Sequence, residues 1–315
     1  MSFDHVLGQP AAVQTLQAAL DSGRIHHAYR FEGPSGVGKE LCAMVFAHAL
    51  ILGGAQSDRA HGFRLNDDPP HLPLHPDLVL IGRGLYRDAI DQSEATGISV
   101  EQIRKVVLAR VGFAPHQGQA LVFIIRDAEE LTVSAANALL KTLEEPRPNV
   151  HFVLLTSNPE RLLDTVRSRT LPIRFGPLPD GVLERVLSAA GKPKELAALA
   201  QGSAELALQL GDAELRQSRD EFLSAAVNAM TAPHFSAALD VAADLPKERD
   251  TLRQHLRALA QHFALDARST LQRDPKRAQA AAEHFSTVLE AVAAIERNVN
   301  PTLVVEAMLS RLRRT

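Results

Sequence analysis

The chain has 315 residues, of which 45% are apolar and 23% charged, a composition typical of a protein with one to three domains and buried cores. A formal charge of −3 argues against a protein that coats DNA through its own field, and 4% aromatic content without tryptophan argues against stacking platforms for bases. The single cysteine, Cys42, excludes an intrachain disulfide. Because the sequence shows neither a signal-peptide pattern nor an apolar run of about 18 residues, we expect a cytoplasmic protein.

The first part of the chain is predicted to place a glycine-rich loop between a strand and a helix. A helix over Pro10–Asp21 is followed by a short strand over Ala28–Phe31, then by GPSGVGKE and a helix that extends to about Leu52. Strand, glycine loop and helix in this order are the context of a phosphate-binding loop. Its amides and lysine would cradle a phosphate group at Gly33, Gly36, Gly38 and Lys39.

A polar connection rich in proline and histidine follows and is predicted to be a loop or insertion. A buried strand is predicted over Asp77–Ile81. After a second weakly structured connection, a helix is predicted over Ile98–Ala109, with Ser99 as its cap and an ion pair between Glu101 and Lys105.

Another buried strand is predicted over Leu121–Ile125. Residues 131–170 follow, with the sequence LTVSAANALLKTLEEPRPNVHFVLLTSNPERLLDTVRSRT. This stretch predicts a helix, a turn, a strand and a second helix. Ser134 can cap the first helix, and Pro146 ends it. HFVLLT is apolar on both faces, which is typical of a central strand in a parallel sheet. Its end supplies polar groups at the carboxyl edge, where open α/β sheets bind ligands: Thr156, Ser157 and Asn158.

Strands and helices alternate through residues 1–175, which predicts a doubly wound α/β domain. A hinge rich in proline and glycine, residues 174–180, marks its end. Short helices bounded by glycines are expected to form a small lid over residues 176–211. Longer amphipathic helices over residues 212–315 predict a separate all-helical domain.

ANALLKTLEEP, the strand that follows with its TSNPERLL continuation, and SRT resemble the AAA+ clamp-loader ATPases of bacterial DNA polymerase III. GQPAAVQTLQAAL, RIHHAYRFEGPSGVGKE and HPDLVLI extend the resemblance over the first two-thirds of the chain. It implies an α/β P-loop (AAA+) domain with a parallel sheet, a small helical lid and an all-α C-terminal collar through which subunits form a ring. It also implies the partners of such a subunit: gamma/tau and delta, the sliding clamp and primer-template DNA.

Three positions depart from what ATP hydrolysis requires in this family. Glu40 stands where a Ser or Thr ligates Mg²⁺, and Arg126 stands where an Asp at the strand tip holds the water shell of the cation. Glu205 stands where active relatives carry a lid arginine. The resemblance therefore implies a degenerate site that leaves ATP binding open, while hydrolysis is not expected. Glu129 and Glu130 are expected to be solvated charges near a helix N-terminus.

The resemblance also implies a functional arginine at Arg169. The family keeps Ser-Arg-Cys where this chain has SRT, and that arginine points at the γ-phosphate bound by the neighbouring subunit, so Arg169 would act as an arginine finger in trans. Thr170 replaces the cysteine, and Arg167 is expected to face elsewhere. The alternative for Arg169 is an arginine that meets carbonyl groups at a helix end. Thr156 and Asn158 would sense the nucleotide, or would only cap the next helix.

The histidines do not predict a metal site. Many relatives carry a four-cysteine zinc module in the insertion after the P-loop helix, but this insertion has no cysteine. The spacing of His61, His71, His75 and the pair His26–His27 matches no closed zinc site, so no zinc is expected.

These features predict a clamp-loader subunit in DNA replication that acts as a scaffold, does not hydrolyse ATP and lends Arg169 to a neighbour. Two alternatives stay open: an active motor ATPase of the gamma/tau type in the same complex, and an AAA+ ATPase of another branch, such as a branch-migration helicase or a transcriptional activator. Glu40, Arg126 and Glu205 disfavour the motor. ANALLKTLEEP and the collar-like ending disfavour the other branches.

Overall fold

The computed structural model describes residues 3–53, 75–86, 97–246, 249–297 and 299–313. The chain divides into two compact units, Met1–Gly211 and Asp212–Thr315. Most of the predicted insertion lies outside the described residues, and so do His61 and His71. Within the described ranges, no helix combines the length and the apolar character that crossing a membrane requires.

A parallel five-stranded sheet forms the centre of the first unit. Its strands are β1 (Ala28–Glu32), β2 (Leu78–Ile81), β3 (Leu121–Ile125), β4 (Val150–Thr156) and β5 (Leu171–Arg174), in the spatial order β2-β3-β4-β1-β5. The predicted parallel sheet is therefore confirmed. Strand β5 was missing from the sequence prediction because it is a short edge strand with a proline and only one buried residue, Ile173.

Helices cover both faces of this sheet. They are α1 (Pro10–Ser22), α2 (Lys39–Leu52), α3 (α-helical Val100–Gln102 and Ala109–Val111 around π-helical Ile103–Leu108), α4 (Val133–Glu144), α5 (Asp164–Arg167), α6 (Asp180–Ala189) and α7 (Ala204–Leu210). Short 3-10 turns cover Phe3–His5, Ala128–Glu130, Pro159–Arg161 and Lys194–Leu199. The second helix predicted after β4 is thus only a 3-10 turn and the one-turn α5, since Leu162 and Leu163 between them are extended.

Side chains alternate along the strands between two apolar cores. Tyr29 and Phe31 enter the core shared with α1, α2, α6 and α7. Phe123 and Phe152 enter the core shared with α3 and α4, where their rings stack with centroids 5.0 Å apart. Cys42 lies fully buried in α2, and burial raises the pKa of its thiol to about 12, so it is an inert core residue at neutral pH.

Two local predictions about helices were wrong, and one was confirmed. Thr132, not Ser134, caps α4, because its Oγ1 accepts the amide of Ala135 at 3.2 Å. Glu101 pairs with Arg104 at 3.3 Å rather than with Lys105; residues three and four positions apart share a helix face, so spacing alone does not separate them. Ser99 caps α3 as predicted.

The second unit is all-helical in its described residues. Its helices are α8 (Ala213–Thr231), α9 (Ser236–Ala243), α10 (Arg249–Thr270), α11 (Pro275–Glu296) and α12 (Pro301–Leu312). They enclose a separate apolar core that includes Leu256, Leu259 and Val305, each with no exposed surface. The amphipathic pattern of the sequence predicted this kind of packing.

Asp77 fixes the start of β2 and gives a test of the fold. Its buried carboxylate accepts the backbone amides of His116, Gln117 and Gly118 at 2.5, 2.7 and 2.7 Å. Burial disfavours the charged form, but the three donors outweigh this effect, so the pKa of Asp77 is lowered below its ordinary value of 3.8.

We expect Asp77→Asn to lower the free energy of unfolding by about 1–3 kcal/mol at neutral pH, since three backbone amides lose the charged acceptor that the buried carboxylate provides. Because the folded pKa is lowered, the carboxylate stabilises the fold above its unfolded pKa, and this contribution disappears as the pH falls through the folded pKa. Urea denaturation across acidic and neutral pH measures both effects. The exposed Asp180→Asn is the control, and a difference within about 0.5 kcal/mol between the two variants contradicts the assignment.

Candidate functional site

The glycine loop connects β1 to α2. The first turn of α2 therefore begins directly at this loop. Gly38 precedes α2 in a left-handed conformation and provides no side-chain cap. Gly33 is required by a close approach, because a Cβ there would lie 2.2 Å from the carbonyl oxygen of Phe175. The strand, the loop and the helix N-terminus therefore have the arrangement that phosphate binding requires.

Lys39 is held by groups of the chain itself. Its Nζ donates to the carbonyl oxygens of Gly33 and Pro34, both at 2.6 Å, and to Ser157 Oγ at 3.2 Å. Burial lowers the pKa of Lys39, and the nearby carboxylates of Glu129, Asp127 and Glu205 oppose this shift. The lysine thus keeps its position beside the loop through internal contacts.

At the carboxyl end of β4, Ser157 is the residue whose side chain reaches the lysine. Thr156 is buried, and its Oγ1 accepts the backbone amide of Asn158 at 3.1 Å. Asn158 precedes the 3-10 turn and makes no side-chain capping bond, so the capping alternative for this residue is wrong. The sequence placed all three polar residues at the sheet edge without showing which one faces Lys39.

The two positions expected to organise Mg²⁺ carry opposite charges and contact each other. Arg126, directly after β3, donates from its guanidinium to Glu40 Oε1 in the first turn of α2. A guanidinium is a cation with donors only, so it cannot serve as a ligand of a hard divalent cation. The residues present at these positions therefore do not fit Mg²⁺.

Glu129 differs from its prediction as a solvated charge. Its Oε1 accepts the amide of Ser157 at 3.0 Å, and its Oε2 is buried without a hydrogen-bond partner among the described residues. The 3-10 turn Ala128–Glu130 at the end of β3 directs this side chain toward β4. Glu129 therefore belongs to the site and lies close enough to Lys39 to oppose the lowering of the lysine pKa by burial.

The start of α7 docks directly on the phosphate loop. The amide of Ala204 donates to the carbonyl oxygen of Gly36 at 2.8 Å, and Ser35 Oγ donates to Glu205 Oε2 at 3.1 Å. A Cβ on Gly36 would lie 2.1 Å from Ser203 Oγ, so only glycine permits this approach. Glu205, at the position of the expected lid arginine, adds a negative charge beside the loop.

Arg169 lies apart from this loop, in the turn between α5 and β5. One guanidinium nitrogen pairs with Glu144 Oε1 at 2.6 Å, and the other donates to the carbonyl oxygen of Thr165 at 2.9 Å. About a third of the side chain, 33%, is exposed. It lines a cavity of about 620 Å³ together with His26, His27, Glu144, Ser168 and Thr170. The contact with the carbonyl of Thr165 fits the alternative of an arginine at a helix end. The ion pair with Glu144 joins Arg169 to a different helix, α4, and is not explained by that alternative.

Arg30 holds this turn and was missed in the sequence analysis. It is a buried arginine in β1 that pairs with Glu32 at 2.5 Å and donates to the carbonyl oxygen of Arg167 at 2.8 Å and to Thr170 Oγ1 at 2.7 Å. Thr170 Oγ1 in turn donates to the carbonyl oxygen of Val166 at 3.0 Å. A charged residue inside the predicted buried strand AYRF was the available signal, because buried charges require partners.

A glycine loop at the carboxyl edge of a parallel sheet covered by helices on both faces defines the P-loop α/β class, and the predicted AAA+ fold class is confirmed. Residues 8–179, more than half of the chain, match the family model described as DNA polymerase III, delta subunit. The chain belongs to this family, which confirms the predicted resemblance to the clamp-loader subunits of DNA polymerase III.

Individual relatives carry the names of several subunits of this polymerase. Subunit tau of Escherichia coli K12 is 33% identical over 73% of this chain and 35% of its own length. Subunit gamma/tau of Mycobacterium tuberculosis H37Rv is 35% identical over 59% of this chain and 31% of its own length. Subunit delta' of Bacillus subtilis 168 is 31% identical over 59% of this chain and 53% of its own length. The chain thus spans about a third of the gamma/tau relatives and about half of the delta' relative.

The contact between Arg30 and Thr170 provides a test of how the Arg169 turn is held. We expect Thr170→Val to lower the free energy of unfolding by about 1–3 kcal/mol, since it leaves a buried guanidinium without one acceptor. Thr170→Ser keeps the hydroxyl and should stay within about 1 kcal/mol of the wild type. Urea denaturation compares the two variants, and equal losses would contradict a role for the hydroxyl.

Proposed function

We propose that this chain is a delta prime-like subunit of a bacterial DNA polymerase III clamp loader. In this role it takes part in DNA replication as a scaffold that does not hydrolyse ATP itself. It contributes Arg169 to the ATP site of a neighbouring subunit. The single observation that carries the proposal is the Glu40–Arg126 ion pair at the two positions where a hydrolysing relative needs Mg²⁺ ligands.

The surroundings of Lys39 support the absence of hydrolysis. Phosphoryl transfer depends on positive charge at the phosphates, supplied by the metal ion, the lysine and arginines. Here Glu205 takes the position of the lid arginine and hydrogen bonds to the loop through Ser35. The site therefore lacks two of the usual sources of positive charge and gains a negative one.

The contacts of Arg169 support a role across a subunit boundary. Arg169 lines a cavity, and its guanidinium is held by Glu144, the last residue of α4. An ion pair with a partly exposed carboxylate is weak, so a phosphate with higher charge can replace the carboxylate as the partner. An arginine supplied in trans then stabilises the charge that develops on the transferred phosphoryl group.

The proposed partners follow from the same role. The all-helical second unit would act as the collar that joins gamma/tau and delta subunits into a ring. The sliding clamp and the primer-template DNA would be reached through the assembled complex. Nothing in the composition favours a grip on DNA by this chain alone, because its net charge is −3.

A gamma/tau-like motor subunit is the second candidate. It is favoured by the 35% and 33% identity to gamma/tau and tau relatives, against 31% for the delta' relative. These identities are close together, and each is an average over all aligned residues and not a comparison of the site residues. The residues at the cation position discriminate more strongly between the two functions, and they favour the scaffold.

We expect Arg169→Ala in the reconstituted complex to reduce single-turnover ATP hydrolysis at the neighbouring site by about 10³-fold or more. That site can be isolated by replacing the phosphate-loop lysine in the other motor subunits. The matched control is Arg167→Ala, two residues away, whose side chain pairs with Glu160 at 2.8 Å and whose carbonyl still serves Arg30. Assembly of both complexes is checked by gel filtration. Unchanged hydrolysis in the Arg169→Ala complex would contradict the role in trans.

A further inference from the structure

The Glu40–Arg126 ion pair joins residues 86 positions apart in the chain. The backbone fixes both ends: Glu40 lies in the first turn of α2, and the amide of Arg126 donates to the carbonyl oxygen of Ile81 in β2 at 2.8 Å. The side chains stay partly exposed, at 41% and 29%. The pair therefore lies at the protein surface beside the first turn of α2 and does not belong to the apolar core.

The charges around the loop are unusual for a site that receives a polyphosphate. The cations that the contacts of the described residues place at the loop are Lys39 and Arg126. The carboxylates of Asp127, Glu129 and Glu205 all act on Lys39, and Glu40 is paired with Arg126. The carboxylates thus outnumber these cations. The negatively charged phosphate groups of ATP are therefore attracted only at positions where a cation already lies.

We propose that the Glu40–Arg126 ion pair takes the place of the divalent cation in this chain, so that its phosphate loop has no magnesium dependence. The guanidinium provides a fixed positive charge on the side of the loop where the metal would bind, and Glu40 holds it there. The inference deepens the proposed function, since a site without a metal does not hydrolyse ATP. It concerns the chain's own loop and is therefore separable from the role of Arg169.

A second observation agrees with a fixed positive group in this position. Arg126 Nε is buried and has no hydrogen-bond partner among the described residues. The guanidinium thus contacts Glu40 through one terminal nitrogen, while the protein encloses its Nε, which favours a fixed position of the group. Arginine presents its donors in a planar fork that suits phosphate oxygens.

The test compares ATP affinity with Mg²⁺ and with EDTA for the purified full chain, measured by isothermal titration calorimetry. The wild type is expected to change by less than about threefold between the two conditions. The double variant Glu40→Thr with Arg126→Asp restores the hydroxyl and the carboxylate that organise Mg²⁺. Its affinity is expected to rise at least about tenfold when Mg²⁺ is added.

A charge-swapped variant, Glu40→Arg with Arg126→Glu, is the matched control. It keeps an ion pair at the same place and is expected to stay insensitive to Mg²⁺. Binding of Mn²⁺ with ATP, followed by electron paramagnetic resonance, provides a readout of the metal itself, with a bound signal expected only for the double variant. Thermal unfolding checks that each variant is folded.

Three results would overturn the inference. One is a wild-type affinity for ATP that rises tenfold or more with Mg²⁺, which can be measured even if no variant folds. Another is a folded double variant that remains as insensitive to Mg²⁺ as the wild type. The third is absence of ATP binding by the wild type under both conditions, because a group that takes the place of the cation has to support phosphate binding. None of these outcomes bears on the test of Arg169, in which the Arg169→Ala complex is expected to lose ATP hydrolysis at the neighbouring site.

Discussion

The buried guanidinium of Arg30 is the interaction on which the rest of the first unit depends. A charge in the middle of a sheet is tolerated only when hydrogen bonds and an opposite charge surround it. Here Glu32, at the end of the same strand, and the turn at Arg167 and Thr170 supply them. Because Glu32 directly precedes the phosphate loop, one side chain ties the chain's own loop to the turn that carries Arg169.

The two regions that Arg30 connects differ in how their charged side chains are engaged. Charged side chains at the phosphate loop are engaged by internal contacts: Lys39 with loop carbonyls, Ser35 with Glu205, and Glu40 with Arg126. The Arg169 turn, by contrast, opens onto a cavity with a partly exposed guanidinium. In the proposed function, this turn holds Arg169 at a constant position for a neighbouring subunit. Preorganised charge of this kind is the contribution that catalysis in trans requires.

The sequence predicted the central sheet because β2 and β3 are continuous apolar runs and β1 and β4 are largely apolar. It predicted the glycine loop because the residues of that loop stand between a strand and a helix. Strand β5 escaped prediction because an edge strand that contains Pro172 lacks this pattern. Glu40 and Arg126 were each recognised as departures, but their contact joins distant parts of the chain and follows only from the folded sheet. Glu129 was assigned to solvent because local pattern does not show how a 3-10 turn directs a side chain. Arg30 remained unnoticed because the other residues of the predicted strand AYRF are apolar or aromatic.

The most direct measurement is a cryo-electron microscopy structure of the assembled complex with a non-hydrolysable ATP analogue. The account predicts a guanidinium nitrogen of Arg169 within about 3 Å of a γ-phosphate oxygen bound by the neighbouring subunit. It also predicts that Glu40 and Arg126 remain paired beside Lys39, with no metal between them. An Arg169 side chain that stays on Glu144 and faces away from every nucleotide would contradict the account.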